Sequence, residues 1–406
     1  MVPMRAKAGG SSPIGVYCRY HLELRRDAIP NGALPLLPSS HCEVQEPGSK
    51  DRNRRARLIA VYLPQFHPTP ENDLWWGKGF TEWTNVAKAK PLFKGHYQPK
   101  LPADLGFYDL RVPEVREAQA NLARNAGIEG FCYYHYWFGG KRLLERPFQE
   151  VVASGKPDFP FCLCWANQTW SGIWHAAPNR ILIEQTYPGE EDNKNHFLAL
   201  LDAFLDKRYM RVGGRPIFTI FRPTELPNAT AFISQWQELA SQYGLPGFHF
   251  IAHVTNSEFG FDYKSAGFDA CVSVYTHRIF DHGKMMGMWK RCLRSLGRPT
   301  FVKPYRDALR YMLEGCSKEP DVYPCAIPNW DNSARSGMRG RVLHESTPEL
   351  FRKHLREALA LVDSRPAEQR LVFLKSWNEW AEGNYLEPDQ RFGLEYLNVI
   401  QQENSP

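Results

Sequence analysis

The sequence predicts a (β/α)8 barrel of the TIM type, preceded by a poorly ordered N-terminal extension. Three observations lead there. Short apolar runs recur along the chain, amphipathic helical stretches lie between them, and polar and aromatic residues gather where the runs end. An open doubly wound sheet is the alternative that the same alternation allows.

Residues 1–56 carry Gly9, Gly10, Pro30, Pro35, Pro38 and a polar run ending in Arg52, Asn53, Arg54 and Arg55. They show no sustained periodicity and are expected to be irregular. The barrel is expected over residues 57–402. Its eight runs are Arg57–Leu63, Ile128–Tyr134, Phe159–Trp165, Pro216–Phe221, Phe248–Val254, Phe268–Tyr275, Tyr323–Pro328 and Leu371–Trp377. They are apolar on both faces, which fits buried parallel strands rather than half-exposed antiparallel ones. The first and last should pair and close the barrel.

Helices fill the gaps. Pro113–Asn125 sets Val115, Ala118, Leu122 and Ala123 on one face and stops at Gly127. Glu191–Asp206 repeats the pattern with Phe197, Leu198, Leu201, Phe204 and Leu205. The last long helix opens with Ser346, Thr347, Pro348 and Glu349, a capping-box signature, then buries Phe351, Leu355, Leu359 and Val362.

Composition narrows the function. Hydrophobic residues at 43% and charged residues at 23% describe a folded chain rather than a disordered one. No apolar run approaches the roughly 18 residues of a transmembrane helix. The net charge of +6 is spread along the chain, so nucleic acid is not an expected partner. The nine cysteines include no CxxC pair, and Cys132, Cys162, Cys164 and Cys271 sit inside apolar runs as small buried thiols. No metal or cofactor is expected. Residues 1–12 are polar and small, unlike a secretory signal. A cytoplasmic location is therefore expected, and a secreted or periplasmic one only if the start site is mis-called.

In a barrel of this kind function gathers at the carboxyl ends of the strands. The first run ends in Gln65 and His67, the second in His135 and Tyr136. The third gives Trp165, Asn167, Gln168 and Trp174, the fifth His253, the sixth Tyr275, the seventh Trp330, Asp331 and Arg335. The eighth leads to Trp377, Asn378, Glu379, Trp380 and Glu382, and the loop after the first run holds Trp75, Trp76, Glu82 and Trp83. Of the 12 tryptophans, only Trp236 and Trp289 lie away from these segments. Aromatic platforms interleaved with amides and carboxylates suit a sugar, with its apolar C–H faces and its rim of hydroxyls. Loop packing is the plain alternative for any one of them. Each histidine alone is more often a hydrogen-bonded structural residue, and their spacing does not suggest a metal site.

The segment Asn378-Glu379-Trp380-Ala381-Glu382-Gly383 is the sharpest signal. Carboxylates three residues apart share one side of a helical turn. At the mouth of a barrel they can differ in solvation, so that one stays ionised while the other keeps a proton, as acid–base chemistry requires.

Four stretches resemble the WbsX-type proteins found among bacterial O-antigen and polysaccharide genes, often labelled glycosyltransferases. They are Tyr62-Leu-Pro-Gln-Phe-His-Pro, Trp75-Trp-Gly-Lys-Gly-Phe-Thr-Glu-Trp-Thr-Asn-Val, Cys132-Tyr-Tyr-His-Tyr-Trp-Phe and Phe161-Cys-Leu-Cys-Trp-Ala-Asn. Those proteins look like relatives of glycoside hydrolase family 99, whose barrel carries Asn-Glu-Trp-His-Glu-Gly near its end. The resemblance implies Glu379 as the base that assists the sugar's own 2-hydroxyl, and Glu382 as general acid/base. It implies retention through an anhydro-sugar rather than the usual covalent adduct. Two departures stand out. Ala381 replaces the histidine, and Gln168 replaces a glutamate common in WbsX-type proteins.

Three functions compete. The first is a retaining glycoside hydrolase acting on a bacterial polysaccharide or other oligosaccharide. The second is a glycosyltransferase of O-antigen, lipopolysaccharide or capsule biosynthesis. The third is an inactive carbohydrate-binding barrel. The chain has no Rossmann phosphate fingerprint and no Asp-x-Asp motif, which favours the first, and retention of both glutamates speaks against the third.

Overall fold

The computed structural model describes residues 54–405, apart from 173–176, 256–257, 259, 275–277, 281–298, 300 and 317–318. The stretch 1–53, Trp174, Asn256, Tyr275, His277 and Trp289 thus lie outside the described residues.

The eight runs form strands β1 (Arg57–Tyr62), β2 (Gly130–Phe138), β3 (Phe161–Trp165), β4 (Arg215–Ile220), β5 (His249–Val254), β6 (Ala270–Ser273), β7 (Val322–Ala326) and β8 (Leu371–Leu374). Each pairs in parallel with the next in sequence. The β8–β1 ladder, Arg57 opposite Leu371 through Ala60 opposite Leu374, closes the barrel. Nearly every strand residue is buried, because the interior covers one face and helices the other. The strand ends move by a few residues from the expected runs. The largest change is in β2, which extends to Phe138 because a short antiparallel partner, Lys141–Leu143, continues its ladder.

Pro113–Asn125 is a helix as expected, and Gly127 follows it with a φ of 85°. Its buried face differs. Arg116, Gln119, Ala120 and Ala123 are buried, while Val115 and Leu122 are only partly so. The reason is polar. Gln119 accepts from the Tyr62 hydroxyl at 2.7 Å and donates to Glu387 at 2.6 Å, and Arg116 pairs with Glu150 at 2.9 Å. The single helix expected over 191–206 is two, Glu190–Leu198 and Leu201–Leu205, which still bury Phe197 and Phe204 against Trp236. Pro348–Ala360 is capped by Thr347, whose side chain accepts from the Leu350 amide. Among the described residues, turns rather than an α-helix join β5 to β6. Arg54 and Arg55 are already tied to the barrel, through Gly127 O at 3.0 Å and Asp363 at 2.6 Å.

Candidate active site

At the carboxyl ends of the strands lies a cleft of about 450 Å3, lined by residues past β1 and β3 to β8 and by the end of β2. The β1 loop folds back as two short helices, Pro70–Trp76 and Glu82–Lys88, and supplies Trp76, Phe80 and Glu82. The β3 loop forms a hairpin, Trp170–Gly172 with Ala177–Ile183, and supplies Trp170. The β7 loop carries Arg335 on the turn Ser333–Ser336. After β8, Asn378–Glu379 pairs with Asn384–Tyr385 across the turn Trp380–Glu382. That arrangement puts both glutamates into the cleft wall.

Each glutamate has its own cation. Lys375, just past β8, reaches the two Glu379 oxygens at 3.0 and 3.3 Å and the Tyr134 hydroxyl at 2.9 Å. Arg335 bridges Glu382 at 2.5 Å and Glu82 at 2.9 Å. Burial raises the Glu382 carboxyl above its ordinary range. Arg335 opposes this, while Glu379 adds to it. These effects pull in opposite directions on one group. Burial prevails because Arg335 is shared with a second buried carboxylate, and like charges close together favour a proton on one of them. Glu82 is raised too, by burial first.

The turn holding these carboxylates is fastened to the barrel from behind. Asn378 accepts from the Leu63 amide at 2.7 Å and donates to the Leu63 carbonyl at 3.0 Å. Trp380 stacks on Tyr385 with centroids 3.8 Å apart, and its ring nitrogen donates to Glu387 at 2.6 Å. Gly383 has a φ of 54°, and a Cβ there would come within 2.6 Å of Lys100 Nζ and 2.7 Å of the Asp331 carbonyl. Asp331 accepts from Gln98 at 2.7 Å and pairs with His96 at 2.8 Å.

Of the residues expected at the site, Gln65, Trp76, Glu82, Tyr136, Gln168, His253, Trp330, Arg335, Glu379 and Glu382 line the cleft together. Trp75, Trp83, His135, Trp165, Asn167, Asp331, Trp377, Asn378, Trp380 and His67 do not. Half of the expected side chains among the described residues thus line the cleft and half do not. On the strands and extended stretches the cause is the period-two alternation of side chains. On β2, Tyr134 and Tyr136 face the cleft, while His135 turns to the helix layer and meets His196 at 2.8 Å. Trp330 and Asn332 line the cleft, and Asp331 between them does not. Trp165 packs on Phe232 and His196, and Trp83 on Phe66, Tyr108 and Trp380. Trp75 packs edge-on against Trp170, and Trp377 lies in the core against Phe131. Asn167 receives the Arg222 amide at 2.7 Å and so braces the β3 and β4 loops. His67 is buried, and its ring is pushed down to about 4 by desolvation.

Sequence reasoning missed Lys375, Tyr134, Arg222, Thr255, Glu225 and Arg341, all of which line the cleft. Arg222 pairs with Glu258 at 2.8 Å and donates to Gln168 at 3.2 Å. Lys375 did leave a signal, as the lone charge interrupting the apolar run Leu371–Trp377.

The class the fold and site define is a closed parallel (β/α)8 barrel with two glutamates and several aromatic side chains in one cleft at its strand ends. The family follows from the sequence. Residues 58–400 match the family described as Glycosyltransferase WbsX, and the chain belongs to it. It is 40% identical over 352 residues to the "Uncharacterized protein WxcX" of Xanthomonas campestris pv. campestris, covering 86% of this chain. The chain spans 49% of that relative, about half its length. A solved structure described as "Glycoside hydrolase-like protein" aligns with a TM-score of 0.57 at 15% identity, over 86% of this chain and 94% of that one, and shares the fold. The GH99 endo-alpha-mannosidase from Bacteroides thetaiotaomicron aligns with a TM-score of 0.48 at 13% identity, over 85% of this chain and 96% of that one.

Proposed function

We propose that this barrel is a retaining glycoside hydrolase acting on a bacterial polysaccharide or related oligosaccharide. The observation that carries the reading is the pair of glutamates in one cleft wall, each with different partners. Glu379, with Lys375 as counter-charge, acts as the base that draws the proton from the sugar's 2-hydroxyl as that oxygen attacks the anomeric carbon. Glu382, raised by burial, gives its proton to the leaving oxygen. It then takes a proton back from the water that opens the anhydro-sugar. Trp76, Trp170 and Trp330 offer flat apolar faces to sugar rings in the same cleft. The role of Glu379 through the 2-hydroxyl follows the family 99 resemblance and is tested with it.

A second reading, glycosyl transfer, is favoured by the family's own description and by Arg222, Arg335, Arg341 and Lys375 along the cleft. Cations of this kind could hold a diphosphate leaving group. The separating experiment incubates the protein with defined bacterial oligosaccharides and, in parallel, with nucleotide sugars plus acceptor glycans. Release of a reducing end with retained configuration supports hydrolysis. Consumption of a nucleotide sugar with no glycoside cleaved contradicts it and establishes the transferase.

A further inference from the structure

Glu82 lies at the first position of the helix Glu82–Lys88, on the loop after β1, far in sequence from the eighth strand. Its backbone amide is fixed by the Gln65 carbonyl at 3.1 Å, and the residue is buried. Arg335 comes from the β7 loop. Its Nη2 and Nε both reach Glu82 Oε2, at 2.9 and 3.2 Å, while Nη1 reaches Glu382 Oε1 at 2.5 Å. One guanidinium therefore faces two carboxylates, with two of its nitrogens committed to Glu82. All three side chains line the cleft.

We infer that Glu82 is a positioning residue that holds Arg335 from behind and so governs the proton on Glu382. This deepens the hydrolase reading and rests on it for Glu382 as the acid. The physical argument is charge division. A planar, permanently charged guanidinium favours the ionised form of whatever carboxylate it faces. If Arg335 served Glu382 alone, Glu382 would be held as a carboxylate and could not donate a proton. Glu82 takes part of that field and adds its own negative charge. Among the described residues, the other charged or titratable groups facing Glu382 are Glu379 on its own turn, Lys375 past β8, Arg341 on the strand Arg341–His344 and Tyr134 on β2. Glu82, Glu379 and Glu382 thus stand among Arg335, Arg341 and Lys375. Removing the charge of Glu82 adds to the net positive charge beside Glu382, which favours loss of its proton. A bland structural pair would tie two loops together and leave the titration of Glu382 alone.

The test reads that titration without any substrate. Carboxyl 13C NMR of glutamate-labelled protein, with Glu382 assigned from E382Q, gives its midpoint directly. E82Q keeps the shape of the side chain and removes its charge. Its Glu382 midpoint should fall by about one unit or more. R335Q should raise the midpoint, and in the R335Q background E82Q should lose most of its effect, because the two act as one unit. An unmoved midpoint in E82Q, or an equal fall in the R335Q background, overturns the inference. Should E82Q fail to fold, R335Q decides alone, and an unmoved midpoint there overturns it as well. If a glycoside substrate is cleaved, the basic limb of its kcat/KM profile should move to lower pH in E82Q in step with the NMR midpoint. Shifted midpoints with no glycoside cleaved would count against the hydrolase reading and leave the charge linkage standing.

Discussion

At the scale of single residues, the candidate chemistry rests on how two neighbouring carboxylates are made unlike. Glu379 has an ammonium at 3.0 Å and is almost wholly buried, so its partner matters twice, for charge and for desolvation. Lys375→Met should leave a buried carboxylate without its cation, at a cost of about 3–5 kcal/mol. Chemical denaturation of the variant checks this, and a loss below about 1 kcal/mol, the scale of an exposed pair, would contradict it. Lys375 was legible in principle, because a charge in the middle of a run destined for a barrel interior needs a partner there. The identity of that partner was not legible, since it depends on how the chain turns after β8.

At the scale of elements, the turn from Asn378 to Tyr385 is the piece that aims both glutamates. Its carboxylates and flanking tryptophans were readable as a local motif. What could not be read was which neighbours face the cleft, because the register of alternation is set by where each strand actually begins. His135 and Trp165 belong to the right strands and point to the wrong side for the cleft, while Tyr134, one residue earlier than His135, points to the right one. The fastening of the turn gives two tests. Asn378→Ala should orphan the amide and carbonyl of Leu63 in the core, each costing about 1–3 kcal/mol. Gly383→Ala combines a left-handed backbone with contacts under 3 Å to Asp331 and Lys100, so the turn must shift. Both variants should lose activity beyond their loss of stability, read as kcat at a temperature where circular dichroism shows them folded. Full activity in folded Gly383→Ala would mean that the turn does not aim the carboxylates.

At the scale of the whole molecule, the eight-run alternation pointed to a barrel with an open doubly wound sheet as the other way to cover both faces, and the ladder between the last and first strands decides for closure. The described residues contain no helix long and apolar enough to cross a membrane. They also contain buried histidines that no sequence pattern marked as such. Desolvation lowers His67 and His249 to about 4, and His253 and His354 to about 3. These rings are neutral in the fold and take up protons on unfolding, so stability falls as pH drops from about 6.5 toward 4. Each full titration is worth about 3 kcal/mol or more, at 1.4 kcal/mol per unit. Glu387 works the other way. Burial raises its carboxyl to about 7, so it restores stability as pH falls from about 7 through the ordinary carboxylate range, again by about 3 kcal/mol. Glu82 and Glu382, also raised by burial, act in the same sense as Glu387, while buried His135 and His196 add to the histidine side, so stability should fall as pH drops from about 6 to 4. Denaturant melts across that range check this, and a stability that is flat or rising toward pH 4 would contradict it.

The proposed hydrolysis takes Glu382 as acid and Glu379 as base. The most direct measurement compares the rates of Glu382→Gln and Glu379→Gln on aryl and alkyl glycosides of the same cleaved sugar. An activated aryl group departs without a proton, so Glu382→Gln should retain much of its rate there. On the alkyl glycoside it should lose about 10²- to 10⁴-fold. Glu379→Gln should lose rate on both, because attack by the 2-hydroxyl needs its base whatever the leaving group. Equal losses for Glu382→Gln on the two substrates, or no loss on either, would contradict the assignment.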